Sequence, residues 1–92
     1  MKITVRYTGQ SRSAAGVPSE EIELSGPAAV TELVKQIAHR HEEKLRALLL
    51  DTSGAIQPSL LLFVNNEQVL RGDTSKLKDG DEVTIMAPIS GG

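Results

Sequence analysis

Val30, Leu33, Val34, Ile37 and Ala38 recur at helical spacing and give this chain one long apolar stripe. One amphipathic helix cannot bury its stripe alone, so the remaining residues must supply a sheet face to receive it. The segment before it does so. Ile3, Val5 and Tyr7 alternate with Lys2, Thr4 and Arg6, the period of a half-buried strand. Ile22 and Leu24 alternate with Glu21 and Glu23 and make a second strand. The polar, small-residue stretch from Gly9 to Ser19, with Gly16 and Pro18, reads as a long hairpin loop. Ser25-Gly26-Pro27 is a helix-start signal, because proline in the first turn lacks only an N–H that has no partner there. Glu32 and Arg40 sit at the ends that suit the helix dipole.

The second half continues in the same manner. Leu45, Leu48 and Leu49 suggest a short second helix or a continuation of the first, ended by Asp51-Thr52-Ser53-Gly54. Leu60-Leu61-Leu62-Phe63-Val64 is an apolar run of strand length. Asn65-Asn66 follows, and asparagine tolerates the positive φ that a tight hairpin turn needs. A short strand at Gln68-Val69-Leu70 comes next, then Leu77 as a core plug. The turn Lys78-Asp79-Gly80-Asp81 launches a last strand, Glu82–Met86, with Val83 and Ile85 inward. Two strands, a helix, two strands and a final strand define an α+β chain of ubiquitin-like β-grasp layout. The expectation is a mixed sheet of about five strands packed against one main helix. Residues 1–86 form the β-grasp domain and residues 87–92 an extended C-terminal tail.

Composition removes several kinds of chemistry. Ninety-two residues allow one modest core, and with Tyr7 and Phe63 as the two aromatics it must be aliphatic. With no cysteine, disulfides, thiolate metal sites and cysteine nucleophiles are excluded. The net charge of −2 comes without a basic stripe, which argues against a nucleic-acid partner. No apolar run suits a signal peptide or a membrane partner, so a cytoplasmic location is expected. His39 and His41, two residues apart, fall on different helix sides and read as helix-end residues, so no metal is expected. Ser11 and Ser13 have no evident partners for nucleophilic catalysis.

The tail is Ala87-Pro88-Ile89-Ser90-Gly91-Gly92. Two glycines make the slimmest peptide available, and Gly92 carries the α-carboxylate. Such a tail can enter a narrow tunnel and present that carboxyl group for activation. Extended, it spans roughly 20 Å. Pro88 restricts it toward extended conformations, and Ser90 is compact. Ile89 is open to two readings, an anchor at a tunnel mouth or packing of the last strand. On the run before the turn, Leu61 and Phe63 face opposite to Leu60, Leu62 and Val64. They form a candidate partner patch unless the 51–59 loop covers that face.

Three segments carry a resemblance: Val64-Asn65-Asn66-Glu67, Leu77-Lys78-Asp79-Gly80-Asp81-Glu82-Val83 and Pro88-Ile89-Ser90-Gly91-Gly92. Together they resemble the MoaD/ThiS family of ubiquitin-like sulfur carriers, with Asn66 where the family usually has a turn glycine. The resemblance implies that an E1-like adenylating enzyme joins the Gly92 carboxylate to AMP. Sulfide or a persulfide donor then converts it to a thiocarboxylate. It implies that a sulfur-accepting synthase receives the sulfur, with a molybdopterin-synthase large subunit the first choice. The chain would not be catalytic alone. It would bind no cofactor itself, ATP and Mg²⁺ being used by the activating partner. A ubiquitin-like modifier conjugated to lysines and a non-covalent β-grasp interaction module are the alternatives.

Overall fold

Alternation of apolar and polar residues sets the sheet, and the one long apolar stripe sets the helix that covers it. The computed structural model describes residues 1–70, 73 and 75–87. The elements are β1 (Lys2–Gly9), α1 (Gln10–Ala15), β2 (Ser19–Glu23), α2 (Val30–Arg40), α3 (Glu43–Leu49), β3 (Leu61–Val64), β4 (Glu67–Gln68) and β5 (Glu82–Ala87). They form a five-stranded sheet in the order β2-β1-β5-β3-β4. β1 runs parallel to β5, while the β1–β2, β3–β5 and β3–β4 pairs are antiparallel. The sheet is therefore mixed, and the last strand is its centre.

The core follows the predicted periods. Ile3, Val5 and Tyr7 of β1, Ile22 of β2, Leu62 of β3 and Val83 and Ile85 of β5 are buried with Leu33, Val34 and Ile37 of α2. Leu45 and Leu49 of α3 and Leu77 close the same cluster. Asn65 and Asn66 take φ of 50° and 72°, the positive values a two-residue hairpin turn requires. Asn65 also accepts the Glu82 N–H and donates to Asp81 Oδ1, pinning the hairpin to the start of β5.

Three local expectations are corrected. The Gly9–Ser19 stretch is not a plain loop: Gln10–Ala15 form α1, closed by Gly16 in the left-handed conformation, whose N–H bonds to the Arg12 carbonyl. α2 starts at Val30 rather than at Pro27, because Ala29 is held in extended backbone and Ala28 is tied to a distant segment. Leu77 N–H donates to the Ala28 carbonyl, and Ala29 bridges Lys76. β4 stops at Gln68, short of Val69 and Leu70, and Leu70 is left exposed.

Candidate functional site

β5 positions the tail. It lies between β1 and β3 and continues through Ala87, one residue beyond the expected end at Met86, because Ala87 is paired with Gly9 and buried. Pro88, Ile89, Ser90, Gly91 and Gly92, the candidate carrier residues, lie outside the described residues. What the structure places is their point of departure: a buried Ala87 at the end of the central strand.

The register then decides which residues share a face at that exit. Leu61 stands opposite Met86 and Phe63 opposite Thr84, while Thr8 stands on the other side of Met86. Directly opposed residues share a face. Leu61, Phe63, Met86, Thr84 and Thr8 therefore lie together on the side away from the core, each half-buried. Leu62 and Ile85 alternate with them and point inward. Leu61 and Phe63 thus occupy the face expected for them, with Met86 between Leu61 and the first strand. Arg6 and Glu82 border this patch, their charged groups 3.8 Å apart.

The sequence offered no sign of a second grouping. Tyr7 of β1 donates its hydroxyl to Glu20 Oε2 at 2.6 Å, and His41 Nε2 lies 2.6 Å from the same oxygen. The Tyr7 and His41 rings meet edge to face, with centroids 6.0 Å apart. Three residues distant in sequence thus tie β1, β2 and the end of α2. Burial alone would raise the Glu20 carboxyl. The Tyr7 and His41 hydrogen bonds, with the charges of His41 and Arg40, outweigh it and hold the group below its ordinary value. The Tyr7 phenol is pushed well up, first by burial and then by its bond to the Glu20 carboxylate.

His39 is exposed at the end of α2, apart from this cluster. Among the described residues no three His, Cys, Asp or Glu gather as metal ligands. Ser11 is fully buried and Ser13 exposed. Ser11 Oγ accepts the Thr8 N–H and lies 2.7 Å from the Thr8 carbonyl and 2.9 Å from that of Ile85. Those bonds give it a structural position that its sequence neighbours did not signal.

A mixed five-stranded sheet in this order, folded on one main helix with its central strand leading into the tail, defines a ubiquitin-like β-grasp protein. The family model described as the ThiS family matches residues 5–92, and the chain belongs to that family. A molybdopterin synthase sulfur carrier subunit from Chlamydomonas reinhardtii is 37% identical over 92 residues, covering 100% of both chains. The chain is therefore a homologue of a sulfur carrier subunit. Among solved structures, a putative molybdopterin converting factor, subunit 1, from Pyrococcus furiosus is 33% identical. It superposes with a TM-score of 0.73 over 97% of this chain and 99% of that one. SAMP1 from Haloferax volcanii superposes over 100% of both chains with a TM-score of 0.84 at 20% identity, a likeness of fold.

Proposed function

We propose that this protein is a sulfur carrier whose Gly92 carboxylate is the working group. An activating enzyme of the E1-like class would join that carboxylate to the α-phosphate of ATP, releasing pyrophosphate. Sulfide would then attack the acyl carbon, expel AMP and leave a thiocarboxylate. The observation that carries this reading is the placement of β5: the strand leading into Gly91-Gly92 is the central one, so the tail is anchored in the most protected part of the sheet. The half-buried Leu61–Phe63–Met86 patch beside the exit supplies a face on which a partner can seat while the tail inserts. The full-length match to a molybdopterin synthase sulfur carrier subunit favours a molybdopterin-synthase large subunit as acceptor.

In this reading the chain is a carrier and the partner supplies the catalytic groups, ATP and Mg²⁺. Among the described residues no helix is long and apolar enough to cross a membrane, and the proposal places the protein in the cytoplasm.

Intact-protein mass spectrometry tests the proposal after incubation with the activating enzyme, ATP and a sulfur donor. The expected result is replacement of one Gly92 oxygen by sulfur. Because the chain has no cysteine, a thiol-reactive reagent should label only the converted protein. Attachment of Gly92 to lysines without sulfur gain would establish a modifier instead. Absence of both adenylate and thiocarboxylate would leave a non-covalent module.

A further inference from the structure

We infer that Gly9 and Ser11 are positioning residues that set the direction in which the C-terminal arm leaves the sheet. The inference rests on the carrier reading above and assigns the two residues to its geometry. Gly9 ends β1 with φ of 64° and is paired with Ala87, the last residue of β5. A Cβ at Gly9 would stand 2.6 Å from the Ala87 carbonyl oxygen. That approach is open to glycine alone, and positive φ adds a second reason for it. Any side chain at Gly9 would therefore push aside the end of β5, from which the arm departs.

Ser11 holds the adjacent turn. Its hydroxyl oxygen accepts the Thr8 N–H at 3.1 Å, and its single hydrogen is shared between the carbonyls of Thr8 and Ile85. The Thr8 hydroxyl reaches the same Ile85 carbonyl at 3.4 Å. Ser11 is 0% exposed, the one buried polar residue among the described residues, and no apolar side chain of its size can make these bonds. The result is a hydrogen-bonded bracket from the end of β1 to Ile85, two residues before the end of β5, built by the short α1 that follows Gly9.

The leverage explains why the bracket matters to chemistry rather than to folding alone. The five residues after Ala87 reach about 17 Å when extended, so a swing of about 20° at the exit moves the tip by about 6 Å. A reacting carboxylate misplaced by about 1 Å already loses about a hundredfold in rate. A fixed exit lets a docked carrier find the adenylation site with fewer orientations to discard.

Two measurements on the full chain test the assignment. Spin labels placed at Ser90→Cys and Lys35→Cys, in a protein with no cysteine of its own, report the arm-to-body distance distribution. Adding Ser11→Ala should widen that distribution, and an unchanged width in the folded variant overturns the inference. In ATP–pyrophosphate exchange, Ser11→Ala without labels should lower turnover about tenfold or more while half-saturation stays within about twofold. Ile22→Val, which loosens the core beside Ile3 at the end of β1 opposite Gly9, is the stability control. A loss in Ser11→Ala no greater than in this control also overturns it. If Ser11→Ala does not fold, Thr8→Val removes the weaker contact to Ile85 and should widen the distribution in the same direction, though less. If the parent chain itself shows no exchange, the carrier reading fails, and the distance measurement still decides the bracket.

Discussion

The Tyr7 hydroxyl and the Glu20 carboxylate are 2.6 Å apart, and the same carboxylate oxygen meets His41 at 2.6 Å. One acidic group on an outer strand thus fastens the first strand and the end of the main helix. Because the Glu20 carboxyl is held below its ordinary value of 4.5, the folded state favours its ionised form. The stabilisation is present above that ordinary value and is lost as the pH falls through the lower folded value. Unfolding free energies from urea titrations of the parent and Glu20→Gln should differ at pH 7 by about 1 kcal/mol, the scale of a partly screened charged hydrogen bond. The two curves should converge in acid. Parallel curves from pH 7 to pH 3 would contradict the assignment.

Gly9→Ala should destabilise the protein by about 1–3 kcal/mol, since it combines positive φ with a backbone contact that must yield. Gly54→Ala has positive φ but nothing within 4 Å of the added carbon, so it isolates the backbone effect alone. Thermal melting of the two variants should place Gly9→Ala clearly lower.

Deleting Gly92 should abolish ATP–pyrophosphate exchange with the activating enzyme and leave the melting temperature within about 1 °C, because stability changes follow buried contacts. Gly91→Val should also suppress exchange through its width. Exchange at the parent rate by the shortened chain would remove Gly92 from the mechanism.

Phe63→Ser should weaken docking to the activating enzyme by about ten- to a hundredfold, as loss of a central apolar contact does. Glu67→Ser, on the exposed end of β4, should change it little. Equal effects from the two would mean that the sheet face around Phe63 is not the docking surface.

The residues with strong periodicity announced their places. Val30 to Ala38 and Ile3 to Tyr7 carried enough apolar repeats to fix both element and face, whereas the unbroken run Leu60 to Val64 announced a strand and left its outward face to the register. α1 was missed because Gln10-Ser11-Arg12-Ser13 is polar, and its preceding Gly9 provides no side-chain cap. The available cue was a pair of glycines, Gly9 and Gly16, bracketing six residues that end in two alanines. The start of α2 was misjudged because Pro27 is a permissive signal, while the bonds at Ala28 and Ala29 come from Lys76 and Leu77, nearly fifty positions away. For the same reason nothing local revealed Tyr7, Glu20 and His41 as one cluster. The motifs of the second half did mark the family, and the chemistry proposed for the tail rests on that membership.

Because β5 is flanked on both sides, a pull on the arm is borne differently from a pull on an edge strand. A force applied at Ala87 along the axis of β5 loads the strand's hydrogen bonds to β1 and β3 together, in shear. An edge strand pulled outward would instead open one rung at a time. If the proposed insertion of the arm into a partner's site occurs, the sheet would bear the axial tension of each cycle without unzipping from that end.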